Sequence, residues 1–113
     1  MSNLLDTLPR KWKIGSYTFR VEIVPSTDPR LENNDGLTVF PHQCVYLDQD
    51  MMLTRAAVVV LHEAIHVINW VFGVDDESTE ETVTSQVSTG LMAFWRDNPK
   101  VMTWLNKARK IDG

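Results

Sequence analysis

Residues 51–72 read MMLTRAAVVVLHEAIHVINWVF and contain the longest nearly apolar stretch of the chain. Apolar residues recur in it at intervals of three and four, namely Val58, Leu61, Ile65, Ile68 and Phe72. This spacing predicts an α-helix, and because most other positions are apolar too, we expect a central helix that is buried on nearly all sides. Thr54 or Asp50 is expected to cap the start of this helix, and Gly73 is suited to its end.

The chain before this helix carries short strand-like patterns separated by turn residues. Apolar residues alternate over 12–14 and again over 17–23, with a Gly-Ser pair between them, which predicts two strands. Residues 25–36 are rich in Pro, Asn, Asp and Gly and are typical of a loop. Two further short strands are predicted at 37–40 and 43–47, which either pair with each other or form one strand broken by the proline between them.

Two more helices are predicted after the long helix. Ser78 and Glu81 match a capping box at the start of a helix over 79–96. One face of that helix is apolar and consists of Val83, Val87, Leu91 and Phe94. Asn98 and Pro99 indicate the start of a last helix. Because the strands precede the helices, this order predicts an α+β domain with a small antiparallel or mixed sheet.

Length and charge narrow the range of functions. The chain has 113 residues, so we expect a single domain over 1–113, with a short helix or a loose arm within residues 1–10. The formal net charge is −4, whereas proteins dedicated to nucleic acid usually carry a basic surface. The apolar stretch is shorter than the ~20 residues of a membrane span. We therefore expect neither nucleic acid nor a membrane as a partner. The single cysteine, Cys44, and the absence of a signal-peptide pattern favour the cytoplasm.

The middle of the long helix reads HEAIH, which is an H-E-x-x-H pattern formed by His62, Glu63 and His66. Residues four apart lie on the same face of a helix, so both imidazoles can bind one ion, and zinc accepts such nitrogen ligands. Glu63 is rotated by about 100° from His62 and is placed to take a proton from a water on the metal. The alternative is a pair of core histidines with an unrelated glutamate. The apolar flanks weaken that alternative, because burying three polar groups without a partner is costly.

A third ligand is expected because a catalytic zinc normally has three protein ligands. Acidic residues at the start of the second predicted helix are the nearest source. On a helical wheel whose apolar face spans about 0° to 80°, Glu80 falls near 60° and Glu81 near 160°. Glu80 is therefore the preferred third ligand, and Glu81, which also suits the capping box, is the alternate. The remaining candidates are Glu77, Asp76 and His42.

A motif of this kind, followed by a glutamate on the next helix, resembles the gluzincin arrangement of zinc-dependent metallopeptidases. More closely, the chain resembles a family of small phage and prophage metallopeptidase-like proteins, distantly similar to ImmA/IrrE-type and SprT-like proteins. The segments that carry the resemblance are 17–24, 36 with 43–47, 61–66, 80–83 and 90–99, of which H-E-x-x-H is the specific motif. The resemblance implies a minimal zincin-like domain with Zn²⁺ held by two histidines and one glutamate. It also implies hydrolysis of a peptide or protein substrate with Glu63 as general base, in the host cytoplasm if the chain is phage-encoded.

In zincins generally, substrate binds in extended form to an edge strand beside the active helix. Val45, Tyr46 and Leu47 are the candidates for this strand because they lead directly into the long helix, and an ordinary strand of the sheet is the alternative. Tyr17, Tyr46 and His42 are candidates for stabilising the oxyanion, and their spacing does not choose among them.

Two other functions are compatible with the same residues. A non-catalytic zinc-binding protein, acting as a phage accessory or interaction module, would keep the site without hydrolysing peptides. An accessory protein that acts by interaction alone would hold no metal. An open fourth coordination position favours the enzyme, whereas a fourth protein ligand favours the non-catalytic module.

Overall fold

A computed structural model describes residues 4–110 of the chain, and its strands precede its helices as predicted. The main elements are β1 (Lys11–Ile14), β2 (Tyr17–Val24), β3 (Gly36–Val39), β4 (Cys44–Asp48), α1 (Leu53–Val71), α2 (Glu80–Asp97) and α3 (Pro99–Ala108). Single turns of 3-10 helix lie at Leu4–Thr7, Pro29–Leu31 and Phe40–His42. Within these residues the fold is therefore α+β, with one mixed sheet and three α-helices.

The four strands form one sheet in the order β1-β2-β4-β3. The pairs β1/β2 and β3/β4 are antiparallel, and β2/β4 is parallel. Gly15, with a φ of +60°, forms the tight turn between β1 and β2, a conformation that suits glycine. The two strands around Pro41 pair with each other rather than forming one interrupted strand. β4 consequently lies inside the sheet, and β1 and β3 are its two edges.

The core lies between the sheet and the helices. Its largest fully buried side chains include Trp12 and Phe19 of the sheet and Phe94 of α2, and the rings of Trp12 and Phe94 meet edge to face at 5.9 Å. Leu5 and Leu8 are also buried in this core. The segment from residue 4 onward is thus packed, and its 3-10 turn at Leu4–Thr7 agrees with the expected short helix rather than with the loose arm. The first three residues of that expected arm lie outside the described residues.

One face of α1 is buried, and the prediction of a helix buried on nearly all sides is wrong. Its buried positions are Ala56, Val59, Val60, Glu63, Ala64, Val67 and Ile68. Its exposed large apolar residues are Val58, Leu61, Ile65 and Trp70. The sheet covers one side of the helix and α2 and α3 cover a second side, which leaves the rest open. No helix among residues 4–110 combines the length and hydropathy needed to cross a bilayer.

The ends of α1 differ in how well their residues were predicted. The residue before the helix is Met52, which makes no capping side-chain bond, so the predicted caps Thr54 and Asp50 are wrong. Thr54 already lies inside the helix, and Asp50 belongs to the preceding turn, where its N–H donates to Asp48 Oδ1 at 2.8 Å. Gly73 follows the helix with a φ of +74°, which confirms it as the residue that ends the helix.

The start of α2 is capped by Thr79 instead of the predicted capping box. Thr79 Oγ1 accepts a hydrogen bond from the N–H of Thr82 at 3.2 Å. Ser78 is engaged in the preceding turn, where its Oγ accepts from the N–H of Asp75 at 3.0 Å. The predicted pairing of Ser78 with Glu81 is therefore wrong by one residue, because the turn holds the serine outside the helix.

α2 packs against α1 in the opposite direction. Gly90 allows their closest approach, because a Cβ at this position would overlap Ile68 and lie 2.9 Å from Phe72 Cδ2. Further along α2, Trp95 lies beside a groove that Val58 of α1 also lines. Later residues of α2 thus meet earlier residues of α1, and the start of α2 extends past the end of α1.

Candidate metal centre

The H-E-x-x-H residues lie on α1 where this helix runs beside the edge strand β3. His62 and His66 are both exposed, and their Nε2 atoms are 3.1 Å apart. Their ring centroids are 4.7 Å apart, with the ring planes at 79°. The helix thus presents two imidazole nitrogens toward one point, as the spacing of four residues predicted.

The separation of these nitrogens fits a shared metal ion. Two nitrogens that each lie about 2.0–2.1 Å from a tetrahedral zinc are about 3.3–3.4 Å apart. The observed 3.1 Å is close to that value. The same separation also fits a hydrogen bond in which one ring N–H donates to the other ring, so the tautomers distinguish the two states.

Glu63 is the third member of the cluster and lies on the buried side of the two exposed histidines. Its side chain is buried, with 4% of the residue exposed, and its Oε1 accepts a hydrogen bond from Thr38 Oγ1 at 2.8 Å. Its Oε2 lies 4.0 Å from His62 Nε2. The candidate ligand atoms of His62, Glu63 and His66 all lie within 4.8 Å of one another. A buried carboxylate is stabilised by a nearby cation, so this donor set fits a divalent metal.

β3 and α1 run side by side and form the walls of a cleft around the cluster. Contacts advance along both elements together, from Asp35 with Arg55, through Thr38 with Glu63, to Phe40. The ring of Phe40 stacks on Trp70 of α1. Two hollows of about 140 and 320 Å³ flank the cluster and share part of their lining. Residues of β3 and both histidines thus line the same cleft.

Gly36 explains why strand and helix come so close. A Cβ at this position would lie 2.7 Å from Val59 Cγ1 and 3.1 Å from Glu63 Cγ. The first distance is shorter than carbon atoms tolerate, so a larger residue would push the strand away from the helix. Gly36 thereby keeps Thr38 within hydrogen-bonding distance of Glu63.

Glu80 and Glu81 lie in the first turn of α2, and both are exposed. Among residues 4–110, the potential metal-binding cluster does not include either of them. α2 contacts α1 at Ile68 and Phe72, which are rotated roughly 100–140° around the helix from the histidines. The wheel identified a face of α2 but not the direction in which that face points. Glu80 as third ligand stays a prediction.

The other alternates also lie apart from the cluster. Asp76 and Glu77 are exposed in the turn before α2, and His42 is exposed in the 3-10 turn after β3. Tyr17 is 38% exposed and contacts the ring of Trp70 at 5.0 Å, which places it near one end of the cleft. None of these residues is part of the cluster among the described residues.

The prediction of Val45, Tyr46 and Leu47 as an edge strand for substrate is wrong. These residues belong to β4, which pairs with β2 on one side and with β3 on the other. Val45 and Leu47 are fully buried, and the guanidinium of Arg30 covers the ring of Tyr46. β4 has no free backbone groups to offer a peptide, because both its edges already carry strands.

Cys44, at the start of β4, is buried as a small strand residue. Burial raises the pKa of its thiol, so it stays protonated at neutral pH. Cys44 therefore serves as a packing residue of the sheet.

Several residues of the cleft were not recognised in the sequence. Thr38 and Gly36 carry no local signal, since their importance depends on which strand lies beside α1. Phe40 likewise looks like an ordinary apolar residue. Trp70 could have been found, because it lies four residues after His66 and eight after His62 on the same helix face.

No protein-family model, curated protein or solved structure matches the chain. Support for a function therefore comes from the site itself. Its elements are a pair of convergent imidazoles, a buried carboxylate beside them and an edge strand along one wall. Together they define a candidate divalent-metal site of the H-E-x-x-H type.

Proposed function

We propose that the protein is a zinc-dependent metallopeptidase whose active site is the cleft between β3 and α1. The observation that carries this proposal is the 3.1 Å separation of His62 Nε2 and His66 Nε2 above the buried carboxylate of Glu63. Two convergent nitrogen donors with an adjacent carboxylate are the part of such a site that α1 supplies.

Each residue of the cluster has a separate role in this proposal. His62 and His66 hold the zinc, whereas Glu80, the third ligand that the sequence predicts, lies outside the cluster among residues 4–110. A zinc bound there would lower the pKa of a water and polarise the carbonyl of the scissile peptide bond. Glu63 accepts the proton from the water at Oε2 and passes it to the departing amine. Thr38 keeps the carboxylate oriented by its hydrogen bond to Oε1.

The open edge of β3 supports a peptide as the substrate. Asp48 N–H donates to the carbonyl of Asp35, so in the antiparallel ladder residues 35, 37 and 39 face β4. The backbone groups of Gly36 and Thr38 then point away from the sheet. An extended peptide can pair with them, which would hold its carbonyl groups beside the cluster.

A second candidate function is a non-catalytic zinc site. It is favoured by the inclusion of Glu63 in the same cluster as both histidines. If the Glu63 carboxylate binds the metal itself, no base is left for hydrolysis. The two candidates therefore differ in what Glu63 does.

The first experiment measures metal content by elemental mass spectrometry on protein purified without chelator. We expect about one zinc per chain in the wild type and none in the His62→Ala/His66→Ala double variant. His42→Ala is the matched control, because His42 is an exposed histidine outside the cluster. Zinc retained by the double variant would contradict the site.

Glu63→Gln separates the two candidate functions. As a base, Glu63 can be replaced without loss of zinc, and hydrolysis of a peptide mixture should fall by about 10²-fold or more. As a ligand, its replacement should weaken zinc binding along with any activity. Zinc titration and mass spectrometry of the peptide products provide both readouts on the same preparations.

A further inference from the structure

The two ends of the cleft differ in chemistry. One end is polar, where the ion pair between Arg55 Nε and Asp35 Oδ2, 2.9 Å apart, lines the smaller hollow. The other end is aromatic, where Phe40 lines the larger hollow together with His66. A ligand lying along the cleft therefore meets different surroundings on the two sides of the cluster.

The aromatic end is built around Trp70. Its ring stacks on Phe40 at 5.5 Å and 21°, and it meets Tyr17 at 5.0 Å and Phe19 at 5.9 Å edge to face. Phe19 is fully buried, but Trp70 is 41% and Tyr17 38% exposed. The stack is thus anchored in the core on one side and open to the solvent on the other.

The position of Trp70 in α1 gives its offset from the histidines along the helix axis. Trp70 lies four residues after His66 on the same face, which is about 6 Å along the helix axis. A residue of an extended peptide advances about 3.3 Å, so the stack lies about two residues along the peptide from the cluster.

The other tryptophans show that this exposure is not general. Trp12 and Trp104 are buried, with 0% and 3% of each residue exposed. Trp95 is 57% exposed but lies on α2, beside the groove between the helices and away from the cleft. Trp70 is the exposed tryptophan that shares a helix face with the histidines among the described residues.

We propose that Trp70, Phe40 and Tyr17 form a subsite for a large aromatic or aliphatic side chain of the peptide, about two residues from the bond that is cleaved. This inference rests on the proposed function, since it names the class of peptide that the same cleft takes. Aromatic rings provide a large apolar surface, and they favour stacked or edge-to-face contact with another ring. The hollow at the polar end is lined by Val58 and Val59 but by no Phe, Tyr or Trp ring.

The test uses quenched fluorescent peptides that place Phe, Leu, Ala or Asp at each position in turn. With zinc-loaded wild type, we expect kcat/KM to be about tenfold or more higher for Phe or Leu than for Ala at one position. Trp70→Ala should abolish this preference while zinc content stays unchanged. Trp70→Phe should restore part of it, which shows that the ring matters and guards against misfolding of the smaller variant. Trp95→Ala, the matched control, should keep the preference.

Binding of the same peptides to zinc-loaded Glu63→Gln, measured by fluorescence anisotropy, separates the two proposals. Tight binding of Phe or Leu peptides without cleavage by the wild type would support the subsite and overturn the hydrolytic function. Cleavage of Ala and Phe peptides at equal rates, unaffected by Trp70→Ala, would support hydrolysis and overturn the subsite. Neither binding nor cleavage would overturn both.

Discussion

The two edges of the sheet are protected in very different ways. On β1, Lys11 and Lys13 are exposed and charged. The side chain of Asn98 accepts from the N–H of Lys13 at 2.7 Å and donates to its carbonyl. On β3, residues 36–39 read GLTV and carry no charge. Natural proteins commonly guard edges with lysine or cover them, because a bare edge pairs with other chains.

This difference indicates which edge of the sheet can pair with a strand from another chain. The amide of Asn98 occupies the positions on β1 that an added strand would need. β3 has neither lysine nor a side-chain cover for its outward backbone groups among the described residues, and it lies beside the His62–His66 pair. The unguarded edge therefore coincides with the candidate metal centre, which supports a peptide as its ligand.

The largest expected effect is a loss of stability when the Asn98 cover of edge strand β1 is removed. Asn98→Ala removes three hydrogen bonds, two to Lys13 and one to the carbonyl of Phe94, and leaves the N–H and carbonyl of Lys13 without this partner. We expect the free energy of unfolding to fall by about 2–3 kcal/mol, measured by urea denaturation. Zinc content should not change, since Asn98 is remote from the cluster. A fall below about 0.5 kcal/mol would mean that the lysines alone guard this edge.

A smaller effect is expected on peptide binding when one outward N–H of β3 is removed, and none when the matching N–H of β1 is removed. Thr38→Pro on β3 should weaken peptide binding about fivefold, the value of one hydrogen bond, because it removes a donor that the peptide uses. Lys11→Pro on β1 removes the equivalent donor and should leave peptide binding unchanged. Thr38→Val, which loses the hydroxyl alone, controls for the bond to Glu63. Equal loss of peptide affinity in both proline variants would contradict the assignment of β3 as the binding edge.

The smallest effect is expected on α2, which lies on neither edge. The helical wheel of the sequence predicts that Glu80→Ala weakens zinc binding more than Glu81→Ala does. The packing of α1 against α2 directs the start of α2 away from the histidines, so we expect both variants to bind zinc within about twofold of the wild type. Zinc titration compares them directly. A selective loss in Glu80→Ala would show that Glu80 reaches the metal after all.

The sequence predicted where helices and strands lie better than it predicted which elements pack against each other. Hydrophobic periodicity located α1 and placed His62 and His66 on one face, because these features depend on residues close in the chain. It did not reveal that β4 lies inside the sheet, because strand order depends on pairing between distant segments. For the same reason it overestimated the burial of α1, since periodicity shows which residues share a side but not what covers that side.

The residues of the candidate site also fall into two groups, those recognised from local spacing and those brought together by the fold. His62, Glu63 and His66 come from one helical turn and were recognised directly. Thr38 and Gly36 are brought to the cluster by the sheet, and a threonine and a glycine in a strand resemble many others. The wheel placed Glu80 on a face of α2, but only the packing between helices decides where that face points.

Asn98 and Trp104 also govern how the chain closes on itself. Asn98 bonds to a residue 85 positions earlier, and the indole of Trp104 donates to the carbonyl of Leu4, 100 positions earlier, at 2.8 Å. Contacts of such sequence separation form only after the segments between them are ordered, and they slow folding. The first turn of the chain and α3 therefore belong to one cooperative unit, in which loosening either end releases the other.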